Sequence, residues 1–210
     1  MGMAIDRRFF FDHIRAAPFG GMLKQPQVDG MSAILDRWER TMAAQDERWL
    51  AYVLATVYHE TARTMQPVRE TLADSDERAV AILEEAFAKG RLSWVKTPYW
   101  RPDEDGKSWL GRGFVQLTHR RNYAAMSDIT GIDLVAAPER AMETETALSI
   151  LFEGMRRGSF TGHKLADYFN ASTEDWAGAR KIVNGMDRAE QIGGYGRLFH
   201  AALRGDRGRG

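Results

Sequence analysis

Apolar residues recur at helical spacing along most of this chain, whereas the apolar–polar alternation typical of half-buried strands is scarce. One segment differs: residues 92–117 are rich in aromatic side chains and contain an Asp105–Gly106 turn signal, which predicts a small hairpin or irregular sheet. We therefore expect a mainly α-helical fold with one small β element. The spacing predicts helices near residues 5–17, 28–43, 46–62, 76–89, 119–129, 138–157, 163–169, 174–184 and 188–203.

Length and charge narrow the classes of protein that this sequence can encode. Its 210 residues suffice for one domain, 1–210, with a real core and room for a small lobe. The Gly/Arg-rich end, 205–210, is expected to be a disordered tail. Basic and acidic side chains balance at 29 each, which argues against a strongly basic nucleic-acid binder. No apolar run approaches the ~18 residues of a membrane span, so we expect no stable membrane insertion.

Two further features bear on compartment and chemistry. The chain contains no cysteine, which excludes disulfides, iron–sulfur centres and thiol nucleophiles. The N-terminal stretch lacks the apolar centre of a secretory signal because Asp12, His13 and Arg15 interrupt it. We expect a monomer that is made in the cytoplasm and that needs a separate release route if it acts outside.

Glu60 is the first candidate for chemistry. Helical spacing puts Leu50, Val53, Leu54 and Val57 on one inward stripe, and the next position on that stripe is Glu60. A carboxyl group on an inward face is costly to ionise, and a general acid must be protonated near neutral pH. The alternative interpretation is a solvated side chain at a frayed helix end.

The residues that follow Glu60 argue against one kind of site and for another. His59 and Glu60 begin an H-E-x-x-H zinc pattern, but Arg63 replaces its second histidine, so we expect no metal and interpret His59 as a hydrogen-bonding neighbour or a surface residue. Pro67 forces a loop or extended stretch before Glu70. Two carboxyl groups across a groove are what hydrolysis of a glycosidic bond requires. Three nearby acids are rivals to Glu70 for that role: Asp74, Asp76 and Glu77.

The segment GRGFVQLTHRRNY (111–123) is dense in neutral hydrogen-bonding side chains. Gln116, Thr118 and Asn122 suit sugar hydroxyls, acetamido groups or a water, and an extended 114–118 would put Gln116 and Thr118 on one face. The glycines do not form a dinucleotide fingerprint, because residue 116 is not glycine. A plain strand-to-helix connection capped by Thr118 is an equal alternative. Aromatic side chains that stack on sugars or fill a core lie nearby: Tyr99, Trp100 and Trp109.

Three stretches together resemble the family 19 glycoside hydrolases, which are chitinases and the chitinase-like endolysins of bacteriophages. They are YVLATVYHETARTMQPVRE (52–70), YWRPDEDGKSWLGRGFVQLTHRRNY (99–123) and KIVNGMDRAEQIGGYGRLF (181–199). The N-terminal FFDHIRAAPFGGMLKQPQVDGMSAILDRWE is similar to the opening of the phage-type members, so the resemblance covers nearly the whole chain. The lack of cysteines and of several plant-type loops favours the compact phage or bacterial type, whose substrate is peptidoglycan.

The resemblance implies a lysozyme-superfamily fold with two mostly helical lobes, a small β element and a central cleft. It also implies inverting hydrolysis of a β-1,4 bond next to an N-acetylated sugar, without metal or organic cofactor. By position, Glu60 matches the general acid, Glu70 the general base and Thr118 the hydroxyl that helps to hold the attacking water. Three further positions match residues that contact substrate: Gln116, Asn122 and Asn184. Arg197 resembles an arginine that lies near the carboxylates.

His59, Tyr99 and Trp100 complete the candidates for contact with substrate. The substrate is expected to be peptidoglycan or a chitin-like polysaccharide, with cell-wall lysis as the result. A true chitinase is one alternative. An inactive carbohydrate- or inhibitor-binding protein on the same scaffold is another, and the presence of Glu60, Glu70 and Thr118 argues against it.

Overall fold

The computed structural model describes residues 4–205, and within this range the chain is mainly α-helical with one two-stranded antiparallel sheet. The predicted class, helical with a small β element, is confirmed. The tail prediction covers residues 205–210, and of these only Gly205 lies within the described range. The helices are α1 (Arg7–Ala16), α2 (Gln25–Thr41), α3 (Glu47–Glu60), α4 (Asp76–Ala88), α5 (Arg120–Thr130), α6 (Thr144–Arg157), α7 (Leu165–Tyr168) and α8 (Ala189–Arg204). The strands are β1 (Val68–Arg69) and β2 (Arg112–Gly113).

The chain divides into two compact units, with one boundary between residues 65 and 66 and the other within α6. Unit 1 comprises the described residues up to 65 and those from 152 onward, and unit 2 comprises residues 66–151. None of the helices in residues 4–205 has both the length and the apolar character that crossing a bilayer requires.

In unit 1, α3 packs mainly against α8. Asp46 caps the start of α3 by accepting a hydrogen bond from the backbone N–H of Arg48 at 3.0 Å. Gly196 of α8 lies directly against the Trp176 ring, because a Cβ built there would lie 2.6 Å from it. Apolar residues bury α3 almost to its end, and this packing places the last turn, with Glu60, at a fixed position.

In unit 2, a small core forms around α4 from Ala79, Leu83, Trp100 and Leu110. Buried Arg112, 1% exposed, holds the polypeptide beside this core. Its guanidinium donates to the backbone oxygen of Ser108 at 3.0 Å, to the Tyr123 hydroxyl at 2.9 Å and to the Asp76 carboxylate at 2.5 Å. Three elements are thereby tied to β2: the segment before it, α5 and the start of α4.

The β element differs from the predicted hairpin within 92–117. Strand β2 pairs with β1, which lies just after Pro67, in the register Val68 to Gly113 and Arg69 to Arg112. The sequence signal was therefore correct about a small β element, and an antiparallel bridge between Arg112 and Leu117 lies within 92–117, but the strand that pairs with β2 lies outside that segment. Strand pairing over more than 40 residues leaves no local signal in a two-residue strand.

Two predicted helices and two local predictions also need correction. Residues 138–157 divide into a 3₁₀ segment, Pro138–Met142, and α6, while 174–184 contains only the 3₁₀ segment Gly178–Ile182. The segment 114–116 is a turn rather than extended backbone, with Gln116 at φ +53°. Thr118 does not cap α5; the N-cap is His119, and its side chain makes no capping hydrogen bond.

Candidate active site

Glu60 is the last residue of α3 and is held by a buried arginine. Its Oε1 accepts a hydrogen bond from Arg180 Nη1 at 2.5 Å, and the two side chains are 15% and 4% exposed. Arg180 is fixed in turn because its Nε donates to the backbone oxygen of Asp187 at 3.2 Å. Within residues 4–205, Glu60 Oε2 has no protein hydrogen-bond partner. One oxygen therefore orients the carboxyl group and leaves the other to meet a ligand.

The backbone after Glu60 turns sharply, which fixes where α3 stops. The N–H of Arg63 donates to the Tyr58 oxygen at 2.8 Å, and that of Ala62 to the His59 oxygen at 3.2 Å. Ala62 and Arg63 have φ of +48° and +71°, in the left-handed region that usually selects glycine at a helix end. Two consecutive non-glycine residues in this region mark a conformation that the surrounding structure imposes.

His59 lies half-buried beside this carboxylate. Burial lowers the pKa of its imidazole, the charge of Glu60 opposes that shift, and Arg180 and Arg188 lower the pKa further. The net direction is downward, so near neutral pH His59 is an uncharged hydrogen-bonding group.

Glu70 is positioned by the sheet of unit 2. Directly after β1, its N–H donates to the backbone oxygen of Gly111 at 2.7 Å. Its carboxylate accepts two further hydrogen bonds, from the N–H of Gly111 to Oε2 at 2.9 Å and from the Tyr99 hydroxyl to Oε1 at 2.7 Å. Both oxygens are thus held by neutral donors, which fixes the carboxylate without neutralising its charge.

Three predicted site residues converge on Gly111. A Cβ built there would lie 2.9 Å from Gln116 Oε1 and 3.3 Å from both Glu70 Oε2 and Thr118 Cγ2. Only a residue without a side chain leaves room for this arrangement. Unit 2 therefore brings Glu70, Gln116, Thr118 and Tyr99 into one group.

The amide side chains of this group hold the backbone. Gln116 Nε2 donates to the Val68 oxygen at 2.9 Å and to the Gly113 oxygen at 3.3 Å, so both of its N–H groups connect the turn to the sheet. Asn122 Nδ2 donates to the Thr118 oxygen at 2.8 Å. Gln116 therefore has only its carbonyl oxygen left for a substrate, whereas Asn122 keeps its carbonyl oxygen and one N–H.

Tyr99 and His119 form a neutral pair beside Glu70. Their ring centroids are 4.4 Å apart. Burial and the hydrogen bond to Glu70 both raise the pKa of Tyr99, which keeps its phenol a proton donor. Burial lowers the pKa of His119, and Arg121 lowers it further against the opposing charge of Glu70.

The prediction that Trp100 contacts a sugar is wrong, because its side chain is fully buried. Its Nε1 donates to Glu84 Oε1 at 2.6 Å, and its ring packs edge-on against Phe87 at 5.7 Å. Trp109 is also buried, with Nε1 donating to Asp103 Oδ2 at 2.9 Å. These indoles fill the core of unit 2, and Tyr99 is the aromatic residue that reaches the candidate site.

The arginine that contacts a candidate carboxylate is Arg180, through its hydrogen bond to Glu60, and not Arg197. Arg197 is exposed and makes no ion pair with any residue of the described range. Asn184 is also exposed, and its Oδ1 accepts from the N–H of Gly185 at 2.8 Å. The sequence did hold a signal for Arg180, which lies on the stripe Trp176, Ala179, Arg180 and Val183 at helical spacing.

The rivals of Glu70 are placed differently. Asp76 pairs with Arg112 and, at 2.6 Å, with Arg69. Burial opposes its ionisation, but the hydrogen bonds from these two arginines outweigh it and lower its pKa. Asp76 is thus committed to an ion pair, and Asp74 and Glu77 are exposed.

Two general findings complete the description of the site. In the part of the chain that the structure describes, no group of three or more acidic or histidine side chains is placed to hold a metal ion. No model of a known protein family matches this chain, and no curated protein matches it either. Membership of family 19 therefore remains a proposal that rests on the sequence motifs.

Proposed function

We propose that this protein is a peptidoglycan-degrading endolysin that hydrolyses β-1,4 bonds by inversion, on a two-lobed lysozyme-superfamily scaffold of the family 19 type. The observation that carries the proposal is the group around Gly111. It holds the carboxylate of Glu70 by two neutral donors, beside Thr118, in the segment whose motif resembles the family. A fixed, charged carboxylate next to a hydroxyl side chain suits activation of a water.

In this mechanism Glu60 acts as the acid. In the complex with substrate its Oε2 takes up a proton and donates it to the glycosidic oxygen while the bond from that oxygen to the anomeric carbon breaks. Arg180 orients the carboxyl group through Oε1 and stabilises the negative charge that remains after the transfer.

Glu70 acts as the base from the opposite face of the sugar. It removes a proton from a water as the water oxygen bonds to the anomeric carbon, and Thr118 helps to hold that water. The products are a new reducing end of inverted configuration and a free hydroxyl on the leaving sugar. Inversion requires roughly 6.5–9.5 Å between the two carboxyl groups.

The test uses the whole chain with purified sacculi and with chitin hexamer. We expect reducing ends from sacculi, mass spectra of fragments cut at a β-1,4 bond, and the α-anomer as the first product by NMR. Glu60→Gln and Glu70→Gln are the catalytic variants. Glu190→Gln and Glu104→Gln, two exposed glutamates with one in each unit, are matched controls that keep wild-type rates.

Each outcome bears on the proposal. Release of the β-anomer would overturn the inverting mechanism, and cleavage of chitin alone would identify a chitinase. Sugar binding by a folded wild-type protein without any cleavage would identify the inactive binding protein instead.

A further inference from the structure

A concavity of unit 1 adjoins the end of α3. It has a volume of about 230 Å³, and His59, the neighbour of Glu60, forms part of its wall. The group of side chains that line it, here called the arginine pocket, consists mainly of Tyr58, His59, Arg63, Arg188, Gln191 and Tyr195.

The charge of the arginine pocket is positive and uncompensated. Among the described residues, no carboxylate side chain lines it. Arg63 forms no ion pair within residues 4–205, and the nearest acid to Arg188 is Asp187, at 3.8 Å between side chains that are 63% and 79% exposed. An exposed ion pair at this distance has a small interaction free energy. Both guanidinium groups therefore remain able to pair with an anion.

Aromatic packing and an unusual backbone conformation position the side chains of the arginine pocket. Arg63 stacks over the Tyr58 ring at 5.7 Å, and Tyr195 packs edge-on against the same ring at 4.8 Å. Arg63 and Arg188 both adopt the left-handed backbone conformation, with φ of +71° and +55°. Conformations of this kind cost free energy in non-glycine residues and concentrate at binding sites.

We infer that the arginine pocket binds a free carboxylate of the peptide stem of peptidoglycan. Arginine matches a carboxylate bidentately, Gln191 can add a donor, and the tyrosine rings can pack against the carbon atoms next to the carboxylate. Chitin carries no such anion. The lactyl carboxyl of muramic acid is not free in intact wall, because it is joined to the stem by an amide bond.

This inference rests on the proposed function, and it deepens that function by giving a reason for peptidoglycan over chitin. The pocket lies beside the proposed acid, so a stem carboxylate held there would position the glycan for cleavage. It would act equally on the ground state and the transition state, and therefore mainly on KM.

The test compares Arg63→Gln/Arg188→Gln with Arg63→Lys/Arg188→Lys and with the matched control Arg8→Gln, an exposed arginine of the same unit that does not line the pocket. Four substrates are used: intact peptidoglycan, peptidoglycan whose carboxylates are amidated, glycan chains stripped of stems, and chitin hexamer. Binding of a soluble disaccharide-tetrapeptide, and of its amidated form, is measured separately by calorimetry.

On intact peptidoglycan we expect the Gln double variant to lose on the order of tenfold in kcat/KM, mostly through KM, with partial recovery in the Lys variant. On amidated peptidoglycan and on chitin it matches wild type. Equal rates of wild type and Gln variant on intact peptidoglycan would overturn the inference and leave the proposed function standing. A matching loss on stripped glycan would reassign the pocket to the lactyl carboxylate.

The binding measurement separates the two proposals. Tetrapeptide binding that depends on Arg63 and Arg188, without any turnover by wild type, would support the pocket and overturn the hydrolase. Equal affinity for the amidated and the unmodified tetrapeptide would refute the pocket whatever the turnover.

Discussion

The two proposed catalytic glutamates are held in different ways. In unit 1, Glu60 has one oxygen paired with the charged, buried Arg180, and the other has no hydrogen-bond partner among residues 4–205. In unit 2, Glu70 has both oxygens hydrogen-bonded, by the Tyr99 hydroxyl and the Gly111 N–H. Glu60 is thus oriented by charge at one oxygen, and Glu70 by neutral groups at both.

This difference suits two different tasks. An acid must present one oxygen with its proton to the leaving group, and Oε2 of Glu60 has no protein hydrogen-bond partner among residues 4–205. A base must keep its charge and a fixed direction, which two neutral donors supply. The predictions below test whether the contrast is functional.

The largest expected effect is on the rate of hydrolysis. Glu60→Gln removes the acidic proton, so kcat on sacculi should fall about 10²–10⁴-fold, with a far-ultraviolet circular dichroism spectrum like that of wild type. Full activity would refute the role of Glu60 as acid. Glu190→Gln serves as the control in the same unit.

The next prediction concerns variants that lack the side chain donating a hydrogen bond to each glutamate. Arg180→Met breaks a pair that involves a buried guanidinium, and should lower the free energy of unfolding by about 3–5 kcal/mol. Tyr99→Phe removes the hydrogen bond that a neutral hydroxyl donates to the half-buried Glu70 carboxylate, and should cost about 1.5–3 kcal/mol.

Urea unfolding followed by tryptophan fluorescence measures both values, with Arg180→Lys as a charge-retaining control. Equal losses of unfolding free energy for Arg180→Met and Tyr99→Phe would contradict the contrast between a charged donor to Glu60 and a neutral donor to Glu70.

Local sequence patterns were sufficient to predict the main helices of the fold and one of the two candidate glutamates. The apolar stripe of α3 identified Glu60 as a candidate. The Ser75 cap and the acidic residues in the first turn of α4 predicted the start of that helix correctly. Both signals are local, because helix formation and capping depend on residues three or four positions apart.

What the sequence did not yield depends on contacts between distant segments. The strand that pairs with β2 lies more than 40 residues away, and so does Glu70, which the pairing brings to Gly111. The burial of Trp100 likewise follows from its packing against α4, since an indole fills a core as readily as it stacks on a sugar.

A smaller effect is expected from added bulk in the neutral group of unit 2. In Gly111→Ala the new methyl would meet Gln116 Oε1 and crowd Glu70 and Thr118. Since the Gln116 amide is tied to Val68, it cannot move away without breaking that bond. A displaced carboxylate should lower kcat by up to about 10²-fold, with a smaller change in KM.

The matched control is Gly194→Ala, in α8, where a built Cβ meets nothing within 4 Å. It should keep wild-type activity and gain about 0.5–1 kcal/mol of stability from helix propensity. Wild-type kcat in Gly111→Ala would show that the spacing around Glu70 is unimportant.

The smallest effect concerns the histidine beside each glutamate. Burial lowers the folded-state pKa of His59 and of His119, so between that pKa and about 6.5 the unfolded chain binds more protons, and stability should fall as pH drops through this window. The charge of Glu60 is the second-largest influence on His59, whereas that of Glu70 is weaker on His119 than the charge of Arg121. Glu60→Gln should therefore steepen the acid-side loss of Tm more than Glu70→Gln does, and His59→Asn should remove that difference. Equal slopes in the two glutamate variants would mean that the charge of Glu60 is not felt at His59.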